Sequence, residues 1–249
     1  MKKLAVVTRS DEVVKEWAKF THPLFRKYAE KCGAEFLIIS GKAPFLDHDN
    51  QPHYRLLMIY KLLEEYDRIL HLDTDMIINK NCPNIFEEVP EDMIGIIYED
   101  VGTRVHDRRR KIESIQQAWG DVNWRRNYTN AGTFVLSKQH KDIFLPHNRQ
   151  FWLGHGTADL HMSYNIHKYG FKVKELDFRW NHMTMFSEEW NNNASRFDSY
   201  IIHYAGRGIF DEQDISKEAL HKHRIDVDRQ SCKVEQAKLD YKKIYGVEV

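Results

Sequence analysis

Strand-like and helix-like stretches alternate through the first 100 residues, and this alternation limits the fold more than any other feature of the chain. Leu4 to Thr8 is a short apolar run ending in Thr8-Arg9-Ser10-Asp11, the pattern of a buried strand followed by a helix start. From Glu12 to Cys32 apolar residues recur at helical spacing (Val13, Val14, Trp17, Phe20, Leu24, Tyr28), with Gly33 placed to stop the helix and Pro23 to break or kink it. Phe36-Leu37-Ile38-Ile39 predicts a second strand. Tyr54 to Tyr66 predicts an amphipathic helix with Leu56, Ile59, Tyr60 and Leu63 on one face. Ile69-Leu70-His71-Leu72 and Ile94-Gly95-Ile96-Ile97-Tyr98 predict two more strands. Such alternation specifies an α/β fold, a mostly parallel central sheet flanked on both faces by helices.

The second half is less regular. Phe134-Val135-Leu136, Phe171 to Leu176 and Tyr200-Ile201-Ile202-His203 read as strands, Leu160 to Tyr169 as a helix, and the stretch from about Cys232 to Tyr245 as a charged helix. No repeat, linker or low-complexity tract interrupts the chain, so one continuous domain over 1–249 is expected. With 42% apolar residues, a chain of this length can bury a sizeable core. Lys+Arg and Asp+Glu both number 37, which argues against a nucleic-acid surface. No apolar run approaches the ~18–20 residues of a membrane span. The stretch Met1 to Arg9 has too short an apolar segment for a signal peptide. Cys32, Cys82 and Cys232 are odd in number and widely spaced, which points to free thiols and a cytoplasmic, reducing compartment.

In open α/β sheets, ligands bind beyond the carboxyl ends of the strands. Asp73 and Asp75 stand at such an end, and residues two apart on an extended segment point the same way, so both carboxylates address one cation. Oxygen ligands of this kind suit Mn²⁺ or Mg²⁺, which bridge readily to phosphate oxygens. Asp47-His48-Asp49 and Asp226-Val227-Asp228 share the spacing but follow no apolar strand, and read as solvated loop charges.

The run Tyr66-Asp67-Arg68-Ile69-Leu70-His71-Leu72-Asp73-Thr74-Asp75-Met76-Ile77-Ile78 resembles the metal-binding stretch of glycosyltransferases with the GT-A fold, especially the glycogenin-like group. Asn81-Cys82-Pro83-Asn84-Ile85-Phe86 is similar to the short helix that follows in that group. Three more segments match in order: Asn130-Ala131-Gly132 before the strand Phe134-Val135-Leu136, Asp159 opening the next helix, and His203-Tyr204-Ala205-Gly206, similar to the family's late His-x-x-Gly. The resemblance spans residues 4 to about 210. It implies a GT-A fold with 1–100 as the nucleotide-binding half and 101–249 as the acceptor-binding half. It implies transfer of a sugar from a nucleoside diphosphate donor, a UDP-sugar, to a hydroxyl acceptor in glycan synthesis, with retention of anomeric configuration. On that reading Asp73, Asp75 and His203 hold the metal, and Asp159 and Asn130 act in catalysis. Thr8, Arg9, Arg55, Thr74, Ala131, Gly132, Gly206 and Arg207 lie around the nucleotide sugar. Leu160 stands where the family has Gln, and the late Lys-Pro-Trp is missing, with Arg207 the candidate to replace it. The insert 100–127 departs from glycogenin and is closer to small transferases of large algal viruses and bacterial glycan clusters.

Plainer readings stand beside these. His203 fits a core histidine, Asp159 a helix N-cap, and Arg108-Arg109-Arg110-Lys111 either a solvated face or a loop that meets the diphosphate. Trp119, Trp124, Trp152, Trp180 and Trp190 read mostly as core, with one or two expected at an acceptor cleft. His221 and His223 read as surface residues. Leu72 to Ile77 also resembles the first motif of haloacid-dehalogenase-type phosphatases, which normally lies on the first strand, whereas two strands precede it here. A non-catalytic sugar-nucleotide binder is the remaining alternative.

Overall fold

The computed structural model describes residues 2–41, 54–185, 191–192, 194–206 and 230–249. The expected β–α alternation is present: β1 (Leu4–Ser10), α1 (Lys15–Lys31), β2 (Glu35–Ser40), α2 (Tyr54–Leu62), β3 (Arg68–Leu72), β4 (Met76–Ile78), α3 (Ile85–Glu88) and β5 (Ile94–Tyr98). After these come α4 (Val105–Trp119), β6 (Thr129–Ser137), α5 (Thr157–Tyr169), β7 (Val173–Glu175), β8 (His182–Met183), β9 (Ile201–His203) and α6 (Gln230–Tyr245). A six-stranded sheet runs β2-β1-β3-β6-β5-β7, and a three-stranded sheet runs β4-β9-β8. In the large sheet β2, β1 and β3 are parallel, and so are β5 and β7, while β6 runs antiparallel to both its neighbours.

Period-two alternation sorts the strand side chains into two cores. Ala5, Val7 and Ile69 face one side, with Leu56 and Ile59 of α2 and Ala158, Met162 and Ile166 of α5. Val6, Leu70 and Leu72 face the other, with Trp17, Phe20, Leu24 and Phe25 of α1 and Ala237 and Tyr241 of α6. Both faces are covered, and so the strands read as near-continuous apolar runs.

Two expectations about α1 and the insert need correction. Pro23 does not end α1, which continues to Lys31. The buried face of Trp17, Phe20, Leu24, Phe25 and Tyr28 outweighs the one ladder bond a proline removes. Gly33 ends the helix as expected, at φ +64°. The insert is a helix rather than a loop: Ile112 and Ile115 of α4 form a third small core with Trp124, Tyr128, Leu160 and Tyr164. No helix among the described residues is long and apolar enough to cross a membrane.

Candidate metal and donor site

β3 delivers Asp73 to the carboxyl edge of the sheet, where its backbone N–H donates to Gly132 O at 2.8 Å. The chain then turns into β4, whose antiparallel register against β9 sets Met76 opposite His203. The N–H of Tyr204 closes the pair on Asp75 O at 3.0 Å. This register joins residues far apart in sequence. His203 Nε2 lies 3.8 Å from Asp73 Oδ2 and 3.5 Å from Asp75 Oδ1. One ligand atom from each of the three residues falls within 4.8 Å of the others. Two carboxylate oxygens and an imidazole nitrogen form a donor set that fits Mn²⁺ or Mg²⁺, and the imidazole favours Mn²⁺.

The charges are those a cation site needs. Burial by itself would raise the Asp73 carboxyl, but the Arg55 guanidinium, then His71 and His203, override it and hold Asp73 down at about 2. Burial opposes ionisation of Asp75 as well, and His203 overcomes it and lowers that carboxyl. His203 is raised despite its burial by the two carboxylates it faces. A bound cation would displace that proton, since a metal ligand must be deprotonated.

A cleft of about 390 Å³ opens on this group, lined by Arg9, Val13, Val14, Arg55, Asp73, Thr74, Asp75, Thr157 and Ala158. Arg9 forms part of the cleft wall. Thr8 is fully buried behind it, 3.3 Å from Thr74 Oγ1, and Thr74 donates to Arg9 O at 2.8 Å. Arg55 is paired with Asp73. A second cleft of about 490 Å³ lies at the other end of β3, around Asp67, Arg68 and Lys138, away from these groups.

Asn130, Ala131 and Gly132 lie within β6 rather than ahead of it. Asn130 is buried, and its amide is engaged by Glu99, Gly132 and Asn181. Gly132 is there for space: a Cβ would sit 2.6 Å from His203 Cε1 and 2.8 Å from Asn130 Oδ1. Ala131 donates its N–H to Asp159 Oδ1 at 2.9 Å. That bond settles the local role of Asp159. The N-cap of α5 is Gly156, in the left-handed region, and Asp159 bridges to β6 instead. Burial, then the charge of Glu99, push its carboxyl up to about 7. Gly206 also adopts a positive φ, and its carbonyl accepts from Lys233 at 2.9 Å. Arg207, Trp190, His221, His223, Asp47, Asp49, Asp226 and Asp228 lie outside the described residues.

Several residues escaped the sequence reading. Arg108 is a buried partner of Glu99 rather than part of a solvated run, and Arg109 reaches Asp100 at 3.6 Å. Glu99 follows the end of β5, so the strand-end signal that marked Asp73 marks it too. Asn181 follows a short 3₁₀ turn, Phe178–Trp180, and carries no periodic signal. Trp124 and Trp180 are core residues, whereas Trp119 and Trp152 are partly exposed and pack edge to face with each other.

No protein-family model matches the sequence, and no curated protein matches it. Solved structures do. A glycosyltransferase involved in the glycosylation of the major capsid of PBCV-1 aligns at 15% identity and a TM-score of 0.55, covering 82% of this chain and 95% of that one. The bifunctional glycosyltransferase WbbM aligns at 15% identity and a TM-score of 0.56, covering 84% of this chain and 46% of the other. The galactosyltransferase LgtC, solved with donor and acceptor sugar analogues, aligns at 13% identity and a TM-score of 0.52, over 90% of this chain and 96% of that one. These likenesses establish the fold, which is that of the GT-A glycosyltransferases. The likeness to the glycogenin-like group rests on the sequence motifs alone.

Proposed function

We propose that the chain is a metal-dependent glycosyltransferase that moves a sugar from a UDP-linked donor to a hydroxyl of a carbohydrate or other acceptor in glycan synthesis. The observation that carries this reading is the Asp73, Asp75 and His203 group at the strand ends of a GT-A fold, opening on a polar cleft. When bound there, a divalent ion supplies Lewis-acid stabilisation of the diphosphate leaving group, worth several kcal/mol. Arg55 keeps Asp73 ionised and adds positive charge at the cleft wall. Arg9 and Thr74 border the space for the nucleoside. Asp159 follows the cleft residues Thr157 and Ala158 and is held by Ala131. It is the group suited to stabilise positive charge at the anomeric carbon or to orient the donor hydroxyls. Asn130 supports this centre from behind.

On this reading the first 100 residues serve mainly the nucleotide and the remainder the acceptor, the configuration is retained, and the protein works in the cytoplasm. The phosphatase alternative needs Asp73 as a nucleophile, and its pairing with Arg55 and place beside His203 favour the metal role instead. The test is UDP release from a panel of UDP-sugars, with and without Mn²⁺. Release that requires Mn²⁺ supports the transferase. Phosphate release from simple phosphomonoesters, with no UDP formed, would support the phosphatase.

A further inference from the structure

A chain of buried polar groups runs from α4 to the metal-site histidine. The Arg108 Nε donates to Glu99 Oε1 at 2.7 Å. Asn130 Nδ2 donates to Glu99 Oε2 at 2.8 Å, and Asn181 Nδ2 to Asn130 Oδ1 at 2.9 Å. Asn181 Oδ1 lies 2.8 Å from His203 Nδ1. Glu99, Asn130, Asn181 and His203 are all at least nine-tenths buried.

The direction of this chain is fixed at Asn130. An amide side chain keeps its shape when its oxygen and nitrogen exchange, so its orientation follows from its partners. The Glu99 carboxylate, under the Arg108 guanidinium, accepts and does not donate. The backbone N–H of Gly132 donates and does not accept, and it reaches Asn130 Oδ1 at 2.9 Å. Reversing Asn130 would set oxygen against oxygen and N–H against N–H. Asn181 must then direct its NH₂ to Asn130 and its oxygen to His203. The imidazole proton is therefore required on Nδ1.

We propose that Asn181 and Asn130, oriented by Glu99, are positioning residues that lock neutral His203 in the Nδ1–H tautomer and reserve the Nε2 lone pair for the cation. The proposal rests on the metal reading of Asp73, Asp75 and His203 only in its final clause. Without the relay, the carboxylates facing Nε2 would favour a proton on that nitrogen, the tautomer that cannot ligate. Outer partners of this kind set ring orientation in metal sites, and their loss typically costs ~10–100-fold in metal affinity.

The test is nitrogen NMR of the histidine rings in metal-free protein, followed upward in pH until the His203 ring, raised by its two carboxylates, has lost one proton, together with Mn²⁺ titration by calorimetry. In the wild type, His203 should show a protonated Nδ1 and an unprotonated Nε2. Asn181→Leu removes the acceptor and should shift the ring toward the Nε2–H form, with Mn²⁺ affinity falling ~10-fold or more. Asn181→Asp keeps an acceptor facing Nδ1 in a side chain of the same shape, though it loses the donor to Asn130 Oδ1. It should retain the Nδ1–H signature and bind Mn²⁺ more tightly than Asn181→Leu. An Nε2–H ring in the wild type, or an unchanged tautomer and affinity in Asn181→Leu, would overturn the proposal. Wild-type protein that binds no Mn²⁺ would overturn the metal reading, while the nitrogen shifts alone would still decide the tautomer.

Discussion

Asp159 stands near a helix start but serves a strand. Its place near the start of α5 fits a cap, yet its carboxylate crosses to Ala131 on β6. Burial and Glu99 raise its carboxyl to about 7. An acid whose pKa is higher folded than unfolded stabilises the protein below the ordinary aspartate range and loses that contribution as pH rises through about 7. Asp159→Asn removes this half-buried charge. Its melting temperature relative to wild type should therefore improve between about pH 5 and about pH 8, while turnover falls ~10²-fold or more. A variant that melts earlier at both pH values and turns over normally would make Asp159 purely structural. Gly132 gives a second residue-scale test. Gly132→Ala places a methyl 2.6 Å from His203 Cε1, so the imidazole must move, and Mn²⁺ affinity should drop ~10-fold or more in a calorimetric titration.

Among the elements, those with strong periodicity were readable and those defined by partners were not. β5 occupies the apolar run Ile94 to Tyr98 that announced it, and β3 runs into Asp73 as its composition required. The helix α4 was missed because its sequence is dominated by His106, Asp107, Arg108, Arg109, Arg110 and Lys111, and its apolar face is little more than Ile112 and Ile115. That face makes sense only against Tyr128, Leu160 and Tyr164, which arrive later in the chain. The anchor of α4 is the Arg108 and Glu99 pair, with side chains 10% and 2% exposed. Arg108→Met strands a buried carboxylate, which should cost ~3–5 kcal/mol in denaturant unfolding. The double change with Glu99→Gln should recover part of that loss. A loss below ~0.5 kcal/mol in the single variant would mean that the pair contributes nothing net.

At the scale of the whole molecule, the site is made by topology. β6, from the later half of the chain, inserts between β3 and β5 and places Gly132 and Asn130 beside Asp73. β9 pairs with β4 and sets His203 against Asp75. The strand-end carboxylates could be found from local pattern, because an apolar strand running into two acids is visible in a window of a few residues. The histidine could be found only through the resemblance, and Asn181 and Glu99 only through the assembled fold, since hydrogen bonds between distant segments leave no periodic trace. If Asp73, Asp75 and His203 together hold the cation as proposed, metal and nucleotide should bind as one event, and acid should weaken both as His203 retains its proton. Calorimetric titration of UDP into wild type and Asp75→Ala, each with and without Mn²⁺, addresses this most directly. UDP should bind the wild type tightly only with Mn²⁺ present, and the Mn²⁺-dependent component should vanish in Asp75→Ala at unchanged melting temperature. Equal Mn²⁺-dependent UDP affinity in the two proteins would contradict the assignment of this centre.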